Sequence, residues 1–420
     1  MSESDFIAEL AWRGLLAQQT DGVGKALASG PVAGYAGFDP TAMSLHVGHL
    51  IPVMGLAHLQ RHGHRPVALV GGGTGMIGDP SGKSAERTLQ SLDQVMAHAE
   101  SIGAQLARFL DFSGPNAAVL RNNADWLMEL GAVQFMRDVG KHLTVNYMMA
   151  KDSVKSRMDA GISYTEFSYM LLQAYDFVEL RRRDGVTLQV GGSDQWGNMT
   201  AGVELIRRMD SAEAHAVTLP LLTTASGAKF GKTEAGAVWL DAELTSPYQF
   251  YQFWFNTDDR DVGTYMRRMT LMDRDTISGL EQEVAEHPER RDAQSALAME
   301  ITSRVHGAEA ASVAREVSLV LFGRGEVTGL SSAALAALAR EVPSTSVPRG
   351  EALVLTDLFV RANLVKSKGE ARRLADQGGA YVNGERAGAS TALSEMNPLA
   401  GSYLLLRKGA RDYAVVELIG

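Results

Sequence analysis

Over roughly the first two hundred residues, short β-rich runs alternate with helical stretches, and few folds accommodate that alternation. Residues 31–37 and 66–72 read as strands, each entered through a proline and left through glycine, and residues 186–192 read as another. Strands separated by helices pair in parallel and carry the helices on their faces, so an α/β architecture is expected. A helix is predicted over residues 48–62, directly after the first strand. Side chains at such a junction sit where unpaired N–H groups and a positive dipole end face a crevice.

At 420 residues and 45% hydrophobic, the chain has material for two or three domains. The expected division is an α/β domain over residues 1–245, a helical domain over 246–340, a Pro- and Ser-containing linker over 341–351 and a compact module over 352–420. Residues 89–182 read as largely helical and as an insertion in the first domain. Its apolar stretch 139–149 and the aromatic run Tyr164–Tyr169 suit a dimer surface and a core-facing segment about equally, because interface and core compositions overlap. No apolar run approaches the roughly 18 residues of a membrane span, and the acidic N-terminus has no targeting pattern, so a cytoplasmic location is expected.

The chain has no cysteine, which removes disulfides, thiolate nucleophiles and thiolate metal sites. Its ten histidines are scattered, and no resident metal is expected. A net charge of −9 argues against indiscriminate nucleic-acid binding, so any such partner needs a local basic surface. Arg361, Lys366, Lys368, Arg372 and Arg373 offer one, with Glu370 the only acid in residues 361–373.

Two glycine patterns in residues 71–84 are decoys. Gly73-x-Gly75-x-x-Gly78 matches a dinucleotide fingerprint, but Pro80 and Gly82 stop a helix from opening there. Gly82-Lys83-Ser84 matches the end of a P-loop, yet the required earlier glycine is Ile77. What remains is a backbone-rich loop carrying Asp79, Lys83 and Arg87, able to close over a substrate. His46-Val47-Gly48-His49 and Lys229-Phe230-Gly231-Lys232-Thr233 are each weak alone. Together with Gly191-Gly192-Ser193-Asp194-Gln195 they put three glycine-bearing turns at one sheet edge, which points to a nucleotide site.

These motifs resemble the class I aminoacyl-tRNA synthetases and, within them, the bacterial tyrosyl-tRNA synthetases. Residues 35–41 with His46–His49 resemble the first signature, residues 164–176 and 191–198 the amino-acid and adenylate loops, and Lys229–Thr233 the second signature. Phe230 and Gly231 stand where the wider class has methionine and serine, and Pro52 stands on the first-signature helix. The resemblance implies a Rossmann-like parallel-sheet catalytic domain with a helical insertion, an α-helical domain and a small α+β S4-type RNA-binding domain.

It also implies the chemistry: tyrosine and ATP give tyrosyl-adenylate and pyrophosphate, then tyrosine passes to the 3′ end of tRNA(Tyr), in a homodimer. ATP would arrive with Mg2+, and no tightly bound cofactor is implied. His46, His49, Lys83, Arg87, Lys229, Lys232 and Thr233 would donate to the triphosphate and the leaving pyrophosphate. Tyr35 and Asp176 would hold the phenol, and Asp79, Tyr169 and Gln173 the ammonium group. Gln195 would serve the carboxyl end, with Gly37, Asp39, Thr41, Gly48, Gly192 and Asp194 around ATP and the adenylate. The five basic residues of the tail would hold tRNA. Competing readings are a tryptophanyl enzyme, a nucleotidylyltransferase with a similar His-x-Gly-His motif, and a catalytically dead RNA-binding descendant.

Overall fold

The computed structural model of the chain describes residues 6–81, 90–158, 161–223, 230–233, 236–322 and 325–420, with the main chain alone at 153, 156, 157, 232 and 233. It comprises two compact units, one of residues 1–245 and 257–297, the other of residues 246–256 and 298–420.

The first unit is built on a six-stranded sheet. In chain order its strands are β1 (Gln18–Gln19), β2 (Ala33–Phe38), β3 (Arg65–Val70), β4 (Val119–Asn122), β5 (Val186–Gly192) and β6 (His215–Leu219), and their spatial order is β1-β6-β5-β2-β3-β4. All neighbours run parallel except β1 and β6. The chain leaves β2 for β3 on one side and returns to β5 on the other, so the sheet reverses its winding at β2 and β5. In open α/β sheets the crevice outside the carboxyl ends of such strands is where ligands bind.

The helical reading of residues 89–182 misses β4. Only four residues long, β4 ends in Arg121 and Asn122 and gives no apolar alternation, yet its register continues that of β3 from Val67↔Val119 to Val70↔Asn122. The apolar insertion divides between its two readings: Val139, Leu143 and Met148 pack into the core beside Phe177 and Leu205, while Val145 and Met149 are exposed. The helix Leu50–Arg61 is buried along nearly its whole length, which fixes its amino end against the sheet edge.

The second unit corrects the expected boundaries. The segment 341–351, expected as a linker, contains β9 (Ser344–Pro348), which pairs in parallel with β13 (Asp412–Ile419) at the edge of a sheet ordered β11-β10-β12-β13-β9. There β10 is Ala380–Val382, β11 Glu385–Arg386 and β12 Tyr403–Lys408. Prolines are tolerated at a sheet edge, so Pro343 and Pro348 bracket a strand here instead of excluding one. Strands β12 and β13 are apolar on both faces. Leu404, Leu406, Val416 and Leu418 pack on the helix Leu355–Arg361, while Leu405, Tyr413 and Val415 pack on the helices Ala308–Leu321 and Ser332–Glu341. The tail and the helices before it therefore share one core, and the helical region 246–340 divides between the two units.

Candidate active site

A cavity of about 390 Å³ opens at the carboxyl edge of the first sheet, lined by the ends of β2 and β5, the turns after β3, β4 and β6, and the start of the helix Leu50–Arg61. At its mouth the His-x-Gly-His turn is closed by a reciprocal cap. His46 Nδ1 accepts from Gly48 N at 3.1 Å, and His49 Nδ1 accepts from His46 N at 3.1 Å. With both Nδ1 atoms accepting, each neutral ring carries its hydrogen on Nε2, a donor suited to phosphate oxygen. The rings stack with centroids 3.9 Å apart. Gly48 is required by this packing, since a Cβ there would lie 2.8 Å from His46 Cε1.

The deep end of the cavity holds Tyr35 and Asp176. The Tyr35 hydroxyl is buried and has no hydrogen-bond partner among the described residues, and burial, reinforced by Asp176, keeps its pKa well above the usual phenol value. Asp176 accepts from Asn123 Nδ2 at 2.9 Å and Trp126 Nε1 at 2.8 Å. Burial pushes its carboxyl up to about 8 despite those donors, so it keeps its proton near neutrality. A phenol placed here finds a hydroxyl and a carboxyl that pair with it in either protonation state.

Nearer the mouth, Tyr169 Oη donates to Asp39 Oδ2 at 2.7 Å and Thr74 Oγ1 donates to Asp39 Oδ1 at 2.7 Å. Asp79 accepts from Gln195 Nε2 at 2.6 Å, and Asn198 Nδ2 donates to Gln173 Oε1 at 2.9 Å and Gln195 Oε1 at 3.2 Å. The glycine turn after β3 is no phosphate cradle: Gly72 N and Gly73 N donate to Asn122 Oδ1 and Asn123 Oδ1.

Tyr35, Gly37, Asp39, Thr41, His46, Gly48, His49, Asp79, Tyr169, Gln173, Asp176, Gly192, Asp194 and Gln195 all line this one cavity. Lys83, Arg87 and Lys229 lie outside the described residues. The main chain of Lys232–Thr233 forms β7, paired with β8 (Gly236–Ala237), and Phe230, Gly231 and Ala237 border the cavity. Asn123 and Trp126, which hold Asp176 in place, and Gln189, which lines the cavity beside Tyr35, have no motif to announce them, while Asn198, bonded to Gln173, closes the 191–198 motif, which assigns it no role. Among the described residues, no cluster of three His, Asp or Glu side chains could hold a metal ion, and no helix is long and apolar enough to cross a membrane.

The family described as tRNA synthetases class I (W and Y) matches residues 27–323. The chain belongs to that family. The tyrosine–tRNA ligase SYY-like C-terminal domain matches residues 334–416 of this synthetase. Its sequence is 53% identical to the tyrosine–tRNA ligase of Roseiflexus castenholzii over 98% of this chain and 99% of that protein. It is 50% identical to that of Geobacillus stearothermophilus over 98% and 99%. The fold resembles a C-terminally truncated mitochondrial tyrosyl-tRNA synthetase of Aspergillus nidulans, with a TM-score of 0.70 and 31% identity over 76% of this chain and 94% of that one.

In the synthetase's second unit the predicted basic stripe is only partly free. Arg361 pairs with Glu351 and Lys368 with Asp357. Lys366, Arg372 and Arg373 are exposed and form no ion pair among the described residues. Arg372 and Arg373 lie on the helix Lys368–Asp376, and Lys366 just precedes it.

Proposed function

We propose that this synthetase is a tyrosine–tRNA ligase that forms tyrosyl-adenylate from L-tyrosine and ATP and then esterifies the 3′ end of tRNA(Tyr). The carrying observation is the deep end of the cavity, where the Tyr35 hydroxyl, without a partner among the described residues, lies beside Asp176. A phenol both donates and accepts there, whereas an indole N–H only donates, which disfavours a tryptophanyl reading. Relatives named tyrosine–tRNA ligase, about half identical along the full length, support the same conclusion.

The tyrosine carboxylate attacks the α-phosphorus of ATP, a phosphorus–oxygen bond breaks in line, and pyrophosphate leaves. A terminal ribose hydroxyl of tRNA then displaces AMP from the tyrosyl carbonyl. Positioning and charge stabilisation dominate in transfers at phosphorus. His46 and His49 offer Nε2–H donors, and by the family resemblance Lys83, Arg87, Lys229, Lys232 and Thr233 are further donors to the triphosphate. Asp79, Tyr169 and Gln173 receive the ammonium group, Gln195 the carboxyl end, and Asp39, Gly192 and Asp194 the adenylate. Magnesium enters as the ATP complex, held mainly by phosphates and water.

Lys366, Arg372 and Arg373 supply phosphate contacts to tRNA, which fix orientation more than sequence. The exposed Val133, Met136, Val145 and Tyr164 supply a dimer surface, and the enzyme works in the cytoplasm. The test is charging of a bacterial tRNA pool with each of the twenty amino acids in turn. Acid-precipitable label on tRNA that mild alkali releases is expected with tyrosine alone; charging with tryptophan would overturn the assignment.

A further inference from the structure

Phe230 sits between the two lysines of the second signature, and its ring is buried to 8% exposure although its residue borders the cavity. The ring packs edge-on against Tyr265, with centroids 4.9 Å apart and planes at 62°. Tyr265 does not line the cavity. It is buried within the helix Asp259–Met269, whose carboxyl end is tied to the N-terminal helix through Arg13: the guanidinium donates to the carbonyls of Arg267, Thr270 and Met272 at 2.9, 3.1 and 2.8 Å.

The other edge of the signature is stitched to the first one. Val47 N donates to Val238 O at 3.0 Å, Leu240 N to Leu45 O at 2.8 Å, and Val238 N to Gly231 O at 3.2 Å. Gly231 takes φ +76, and a Cβ on it would lie 2.8 Å from Val47 Cγ2. These bonds set the spacing along a seam, but a single seam leaves rotation about its own line open. The Phe230–Tyr265 contact lies off the seam and opposes that rotation.

We propose that Tyr265 is a positioning residue for ATP activation, acting through Phe230 to hold the Phe230–Gly231 turn at the edge of the cavity. The inference rests on residues 229–233 handling ATP. Reacting groups displaced by about 1 Å lose on the order of a hundredfold in rate, so a loosened hairpin costs activity even when every substrate-binding side chain is kept.

The test is steady-state pyrophosphate exchange by full-length Tyr265→Leu, Tyr265→Phe, Phe230→Leu and the Leu/Leu double variant, with melting temperatures recorded. Tyr265→Leu should lower kcat/KM for ATP about tenfold or more while KM for tyrosine stays within about twofold. Tyr265→Phe should behave as wild type, and the double variant should be no worse than the poorer single one. If Tyr265→Leu does not fold, Phe230→Leu carries the same kinetic expectation, because it leaves the helix intact. Unchanged kinetics with a lowered melting temperature, equal losses toward both substrates, or multiplicative losses in the double variant would each overturn the proposal. A wild type that is itself silent would overturn the ATP reading and this proposal together.

Discussion

Asp176 shows what burial does to a single carboxyl. Its pKa lies at about 8 in the folded chain against an ordinary 3.8, so between those values the native state holds a proton that the unfolded chain has released. Through this group, stability is complete below about pH 4, falls as pH rises toward 8 and is level above it. Melting curves of wild type and Asp176→Asn between about pH 5 and pH 9 should converge in acid and diverge in favour of the variant as pH rises; parallel curves would contradict the assignment. Tyr35→Phe removes one hydrogen bond to a substrate phenol, about 1 kcal/mol, so preference for tyrosine over phenylalanine should narrow roughly fivefold in exchange kinetics. An unchanged ratio would take Tyr35 out of the phenol end. Residues such as His46, Asp79 and Gln195 were legible because they lie in or beside glycine-bearing turns at strand ends. Asn123 and Trp126 were not, because they act on Asp176 from about fifty residues away.

At the scale of elements, the strands of the catalytic sheet were legible where proline or glycine bounds an apolar run, as at β2, β3 and β5. The edge strand β4 was not, for it is short and half polar. In the tail the apolar doublets of β12 and β13 carry the missing information: a strand apolar on both faces must be covered twice. The second cover is the helix pair Ala308–Leu321 and Ser332–Glu341, with Tyr413 Oη donating to Val320 O at 3.1 Å. Deleting residues 352–420 would strip that core as well as the exposed basic surface, so substitution is the cleaner probe. Replacing Lys366, Arg372 and Arg373 together by alanine should leave pyrophosphate exchange unchanged, weaken tRNA binding and make it less salt-dependent. The slope of log K against log salt should fall by about 0.7 to 0.9 for each phosphate that is no longer neutralised. Equal loss of exchange and charging would assign the cations to the fold.

For the whole molecule, the exposed apolar side chains of the first unit bear on assembly. Val133 is 81% exposed, Tyr164 69%, Val145 59% and Met136 55%, in a segment whose neighbours Val139 and Leu143 are buried. Contiguous apolar surface marks interaction sites, and these four residues are the candidates for the proposed dimer surface. Sedimentation equilibrium should give twice the 45.2 kDa chain mass for the wild type and a shift toward one chain for Val133→Asp; a wild type that sediments as a single chain would remove the dimer. The cavity of that same unit, read as a site that adenylates tyrosine, is tested by amino-acid-dependent exchange of labelled pyrophosphate into ATP by the full-length chain, run with each of the twenty amino acids. Exchange with tyrosine alone is expected; exchange driven by tryptophan, or none with any amino acid, would contradict that reading of the cavity.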